Sequence, residues 1–254
     1  MNSEQRVALI TGAGSATGIG FACAKQLLGA GVRVMVTSTT DRIFERVADL
    51  DGSGAAGGHV ADLTEEARAR DLVTATVAQF GRLDIVVNNA GMTSVGHPAA
   101  SAPLVETTLE QWRLSLDRDL TTAFLVTRAA VPHLVAGSWG RIVNVASLTG
   151  PVMAMRDDAP YATAKAAMVG LTRALALDLA PRGVTANAVA PGWIDTGSSN
   201  EHERRMGGAT PARRSGSPDE VAAAVVFLAS EGASYITGQT IVIDGGNSIM
   251  EERG

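Results

Sequence analysis

Short runs of consecutive apolar residues alternate along the chain with longer stretches whose apolar positions recur at helical spacing. Val7, Ala8, Leu9 and Ile10 are apolar without a break, as a strand covered on both faces must be. Residues 18–28 follow, with Ile19, Ala22, Cys23 and Leu27 on one helical face. Further strand runs lie at 32–36, near 59–60, and at 85–87, 141–145, 185–189 and 240–243. Helical patterns fill 65–80, 106–136, 160–180 and 218–230. Unbroken apolar strands alternating with helices predict an α/β fold, with one parallel sheet of about seven strands and helices on both faces. Right-handed crossovers make that sheet doubly wound. Thr64, ahead of Glu65 and Glu66, is a candidate N-cap, and Ser217-Pro-Asp-Glu220 has the capping-box spacing. No linker divides residues 1–254, so a single domain is expected. The least regular stretch, 192–216, is rich in glycine, serine and charge; it is either a substrate loop or a long surface connection.

Composition narrows the function. Of 254 residues, 46% are hydrophobic and 19% charged, which suits a folded chain with a sizeable core. A formal net charge of -5 argues against nucleic acid or an anionic membrane as partner. No apolar run approaches the ~20 residues of a membrane span. Met1 to Arg6 is polar and leads straight into a strand, so no secretory leader is expected. Cys23 is the only cysteine and forms no internal disulfide, which fits a cytoplasmic location. His59, His97, His133 and His202 are scattered without ligand spacing, and no metal site is expected.

Two segments carry candidate chemistry. Val7 to Ile10 runs into Thr11-Gly-Ala-Gly-Ser-Ala-Thr-Gly-Ile-Gly20 and then a helix. Glycines let a backbone approach a pyrophosphate, and the N–H groups of the helix start face its charge. No Gly-Lys-Ser/Thr follows, which disfavours a triphosphate loop. Farther on, Tyr161 and Lys165 stand four residues apart in Tyr-Ala-Thr-Ala-Lys, and would share one helical face. Ser147 lies upstream in Asn-Val-Ala-Ser, just past a strand end where doubly wound sheets bind ligands. An ammonium beside a phenol favours the phenolate, and a serine hydroxyl could bind the oxygen that the phenol protonates.

These motifs in this order resemble the short-chain dehydrogenase/reductase family over nearly the whole chain. Asp62-Leu63, Asn88-Asn-Ala-Gly91 and Pro191-Gly192 add to the likeness. The family's usual loop is Thr-Gly-x-x-x-Gly-x-Gly; here two extra residues lie between Gly12 and Gly18. The resemblance implies a Rossmann-type sheet binding a nicotinamide dinucleotide. Gly12, Ser15, Thr17, Gly18 and Ile19 would meet its phosphates, Asp62 and Leu63 the adenine, and Asn89, Ala90 and Gly91 the adenosine side. Pro191, Gly192, Ile194 and Thr196 would lie near the nicotinamide. An acid at the end of the second strand binds a free ribose and repels a 2′-phosphate. That position holds Ser38, followed by Thr39 and Arg42, which favours NADP(H) over NAD(H). Asp41 is the counter-candidate, but falls beyond the strand.

By the same resemblance, Tyr161 exchanges a proton with the carbonyl or alcohol oxygen, and Ser147 hydrogen-bonds that oxygen. Lys165 binds the nicotinamide ribose and lowers the pKa of Tyr161. The family usually carries an asparagine in the fourth helix that supports a proton relay. Asp119 takes that place here, or Asp117 if the register slips, and a carboxylate accepts hydrogen bonds but donates none. The C-terminal third resembles the 3-oxoacyl-(acyl-carrier-protein) reductase branch in Val189-Ala-Pro-Gly-Trp-Ile-Asp-Thr196, Tyr235-Ile-Thr-Gly-Gln239 and Val242-Ile-Asp-Gly-Gly246. It implies a homotetramer acting on a small carbonyl compound. Residues 93–97, 153–158 and 193–210 are candidate pocket walls, with Arg156 either meeting an anion or pairing with Asp157 or Asp158. The alternatives are an NAD-dependent dehydrogenase of a secondary alcohol and a dinucleotide sensor without turnover.

Overall fold

In a computed structural model, which describes residues 5–50, 54–91 and 101–251, the apolar runs form seven strands. They are β1 (Val7–Ile10), β2 (Arg33–Ser38), β3 (Ala56–Val60), β4 (Ile85–Asn88), β5 (Gly140–Val145), β6 (Val184–Pro191) and β7 (Thr240–Ile243). Every pairing is parallel, in the order β3-β2-β1-β4-β5-β6-β7. The order reverses between β1 and β4, which opens a crevice at their carboxyl ends.

The helices are α1 (Ile19–Gly29), α2 (Arg42–Leu50), α3 (Glu66–Phe80), α4 (Leu109–Leu116), α5 (Thr122–Ala136), α6 (Ala159–Leu179), α7 (Glu201–Gly208) and α8 (Pro218–Leu228). Alternate strand residues serve opposite faces. Ala8 and Ile10 pack with Leu27 of α1, Ile43 of α2 and Val225 of α8. Val7 and Leu9 pack with Leu72 of α3, Val126 of α5 and Leu179 of α6.

Three local expectations change. Thr64 does not cap α3: Glu65 holds the N-cap position, while the Thr64 amide and hydroxyl both donate to the Asp62 carboxylate, at 3.0 and 2.7 Å. The stretch 106–136 is not one regular helix. α4 starts at a Thr108–Gln111 capping box, and one wide π turn, Asp117–Thr121, separates it from α5. α7 lies within 192–216; it buries only Gly207 and so shows no apolar stripe. α2 does carry one, with Ile43, Val47 and Leu50 at helical spacing packed on the core, although it is not among the helices expected from the sequence. The Ser217–Glu220 capping box of α8 is present as expected.

Candidate active site

The cofactor end is built from backbone. Asn89 Nδ2 donates to the carbonyls of Thr11 and Gly12, at 3.0 and 2.9 Å. The Thr11 hydroxyl accepts from the amides of Asn89 and Ala90. Asn89 and Ala90 therefore brace the loop by tying the end of β4 to it. Gly12 has φ +69°, and a Cβ there would lie 2.8 Å from Ala90 Cα; one at Gly20 would lie 2.6 Å from Asn89 Nδ2. Only glycine permits this approach at either place. α1 has no side-chain cap at Gly18 and no acid in its first turn, so its positive end faces outward uncompensated.

The longer loop folds back over the end of β2. Gly14 is buried there; a Cβ on it would sit 2.8 Å from Ser38 Cβ and 3.5 Å from Arg42 Nη2. Ser15 and Thr17 form the exposed tip. The Ser38 hydroxyl donates to Thr40 O at 2.7 Å, Thr39 is exposed, and Arg42 forms no ion pair among the described residues. A cradle lined by glycine backbone and an uncapped helix start fit a nicotinamide dinucleotide, and a guanidinium stands beside the hydroxyls at the end of β2.

The Leu63 side chain is buried in the core on the α3 side. Gly91 belongs to the chemical end: a Cβ on it would lie 2.5 Å from Asp119 Oδ1 and 3.4 Å from Lys165 Nζ. Asp62 is exposed, with its carboxylate engaged by Thr64.

Beyond β6, buried Pro191 leads to Gly192, whose amide donates to Ile243 O at 2.9 Å. Ile194 pairs with Gly216 and closes the base of the 192–216 excursion. The Thr196 hydroxyl meets Ser198 Oγ at 2.9 Å, and its amide donates to Ser199 Oγ. Gly197 packs directly on the Thr17 hydroxyl, which brings the glycine loop against the start of the substrate loop. Residues 93–97 lie outside the described residues. No ion pair joins Arg156 to Asp157 or Asp158 among the described residues.

At the chemical end the triad comes together. α6 carries Tyr161 and Lys165 one turn apart, with Lys165 Nζ 5.6 Å from the Tyr161 ring centre. Ser147 follows β5; its Oγ accepts from the Thr149 amide at 3.1 Å and stands near enough to the Tyr161 hydroxyl to favour its ionised form. Lys165 is buried, donating to Val145 O at 3.1 Å and facing Asp119 Oδ1 at 3.5 Å. The π turn decides between the two acids: Asp119 points inward and is buried, while Asp117 is exposed and accepts from Thr121.

Several groups act on the Tyr161 hydroxyl at once. Burial is the largest influence and holds the phenol well above its usual value. The Ser147 hydroxyl works the other way, and Asp119 and Asp158 raise it further. Asp158, which sequence reasoning missed, has its carboxyl pushed up to about 6, first by burial and then by Asp119. Its place three residues before Tyr161 was the available signal. No group of three metal-ligating side chains occurs among the described residues, and no helix among them is long and apolar enough to cross a membrane.

A doubly wound sheet with a dinucleotide cradle and a Ser–Tyr–Lys constellation at its carboxyl edge defines an oxidoreductase class. The chain matches the family model described as enoyl-(acyl carrier protein) reductase over residues 12–248, and it belongs to the short-chain dehydrogenase/reductase family. It is 35% identical over 250 residues to the 3-oxoacyl-[acyl-carrier-protein] reductase FabG of Escherichia coli, covering 97% of this chain and 98% of that one. It is 37% identical over 259 residues to the (2S)-[(R)-hydroxy(phenyl)methyl]succinyl-CoA dehydrogenase subunit BbsD of Thauera aromatica, covering 98% and 99%. The ligand-free aldohexose dehydrogenase of Thermoplasma acidophilum superposes with a TM-score of 0.85 at 28% identity, covering 99% and 97%. The protein is therefore an oxidoreductase of this family.

Proposed function

We propose that the protein reduces a ketone, a 3-oxoacyl thioester or a similar small carbonyl compound, to a secondary alcohol with NADP(H). The observation that carries this reading is the gathering of Ser147, Tyr161 and Lys165 at the carboxyl end of the sheet, in a fold whose ribose corner holds Ser38 and Arg42 in place of an acid. The dinucleotide supplies the hydride when bound. Ser147 donates to the carbonyl oxygen and fixes its place. Tyr161 passes its proton to that oxygen as negative charge develops there. Lys165, anchored by Val145 O, holds the nicotinamide ribose. Gly12, Gly18, Ile19 and the Ser15–Thr17 tip hold the pyrophosphate, and Ser38, Thr39 and Arg42 the 2′-phosphate. Asn89, Ala90 and Gly91 shape the floor, while Pro191, Gly192, Ile194 and Thr196 line the nicotinamide side. The thioester class is supported by two relatives whose names carry acyl-carrier-protein or CoA substrates.

A second reading, NAD-dependent oxidation of a sugar-like alcohol, is favoured by the likeness to the aldohexose dehydrogenase. A homotetramer in a reducing cytoplasm fits the apolar side chains exposed on α4–α6 and around β7, and the single buried Cys23.

The test is the loss of reduced-nicotinamide absorbance with an acetoacetyl thioester and a panel of ketones, run with NADPH and with NADH. NADPH turnover should fall ~10²–10⁴-fold in Tyr161→Phe. Turnover with NADH alone would reverse the cofactor assignment, and alcohol oxidation with NAD alone would favour the second reading.

A further inference from the structure

We infer that Asp119 is a positioning residue: by pairing with Lys165 it withholds positive charge from Tyr161, keeping the phenol protonated and biasing the site toward reduction. The inference rests on the function proposed above. Its basis is a buried geometry. Asp119 Oδ1 lies 3.5 Å from Lys165 Nζ, and the two side chains are 3% and 5% exposed. The wide π turn swings Asp119 inward, whereas Asp117, two residues earlier, stays exposed. Gly91 makes room for this pair, since a Cβ there would press on Asp119 Oδ1 at 2.5 Å and lie 3.4 Å from Lys165 Nζ.

The charges that face Tyr161 then decide its chemistry. From the π turn comes Asp119, and from α6 come Asp158 and Lys165; Ser147, after β5, contributes a neutral hydroxyl. A Tyr161 phenolate would put a third anion beside two carboxylates and one ammonium. Asp119 and Lys165 are buried and Tyr161 is half-buried, so their interactions are screened less than in open water. An amide in place of the carboxylate would leave Lys165 to favour the phenolate, which is the form needed to take a proton from an alcohol. With Asp119 present, Tyr161 keeps the proton that a ketone oxygen requires.

The sequence allows a direct reading, because the chain has only two tyrosines, Tyr161 and Tyr235. Tyr235 is fully exposed, so Tyr235→Phe leaves Tyr161 as the sole phenol to titrate by tyrosinate absorbance, with no substrate present. In that parent, no tyrosinate should form through the ordinary tyrosine range near pH ~10. Adding Asp119→Asn should lower the midpoint by at least about one unit, a tenfold rise in the acid dissociation constant. Asp119→Ser, a second neutral variant, should move it the same way, with near-ultraviolet circular dichroism checking the fold of each. The pH profile of alcohol oxidation should move with the titration, while a merely structural role would leave it in place. Identical titrations for the parent and both folded variants would overturn the inference. A shifted titration in a protein that reduces no ketone would sink the proposed function and leave the electrostatic role of Asp119 standing.

Discussion

Asp158 shows how a single residue takes its chemistry from neighbours. Its carboxyl is pushed from 3.8 up to about 6 by burial and by Asp119. Between those values the folded chain holds a proton that the unfolded chain has released. Stability contributed by this group is therefore present at low pH and falls as pH rises through the folded value. Asp158→Asn should raise the Tm near pH ~7.5 and leave it almost unchanged near pH ~4. An equal Tm difference at both pH values, measured by thermal unfolding, would contradict this account. Ser147, Tyr161 and Lys165 were legible in the sequence, because one helical turn fixes the Tyr–Lys spacing locally. The acidity of Tyr161 was not legible. It depends on burial and on Asp119, which is 42 residues from it in the chain.

At the scale of elements, the site depends on close backbone packing between the segment after β5 and the first turns of α6. Gly150 has φ +103°, and a Cβ there would drive into Ala162 O and lie 3.0 Å from Ala166 N. That contact sets Ser147 against Tyr161. Gly150→Ala combines an unfavourable backbone conformation with a clash against a helix. It should cost at least about 2 kcal/mol, read as a lower urea midpoint, and should reduce turnover. A midpoint equal to wild type would show that the segment relaxes freely. The helix expected over 106–136 was right in extent but blind to the π turn, because one inserted residue scarcely disturbs apolar spacing over thirty positions. The extra glycine-loop residues were visible in the sequence. Their folding onto Ser38, and the contact of Thr17 with Gly197, were not.

At the scale of the whole molecule, large apolar side chains remain exposed on two faces. Leu114, Phe124 and Leu177 lie on α4, α5 and α6, while Phe227, Tyr235 and Val242 lie on α8, before β7 and on β7. Two separate faces on one chain favour a closed tetramer over a dimer. Light scattering after size exclusion should return four times the chain mass. Tyr235→Asp with Val242→Asp should reduce it to twice that mass, and a monomeric wild type would contradict the reading.

The sequence by itself determined the parallel α/β sheet, the order of strands and helices, the glycine-rich cradle and the Ser147–Tyr161–Lys165 set. Each of these rests on local periodicity, or on motif order in a chain that resembles a known family. Tertiary structure alone decided that Asp119 rather than Asp117 meets Lys165, that Leu63 belongs to the core, that Gly91 guards the ion pair, and that α7 is a helix. Those outcomes depend on which groups distant in sequence are desolvated together, and charge and burial are properties of that assembled neighbourhood rather than of any one segment.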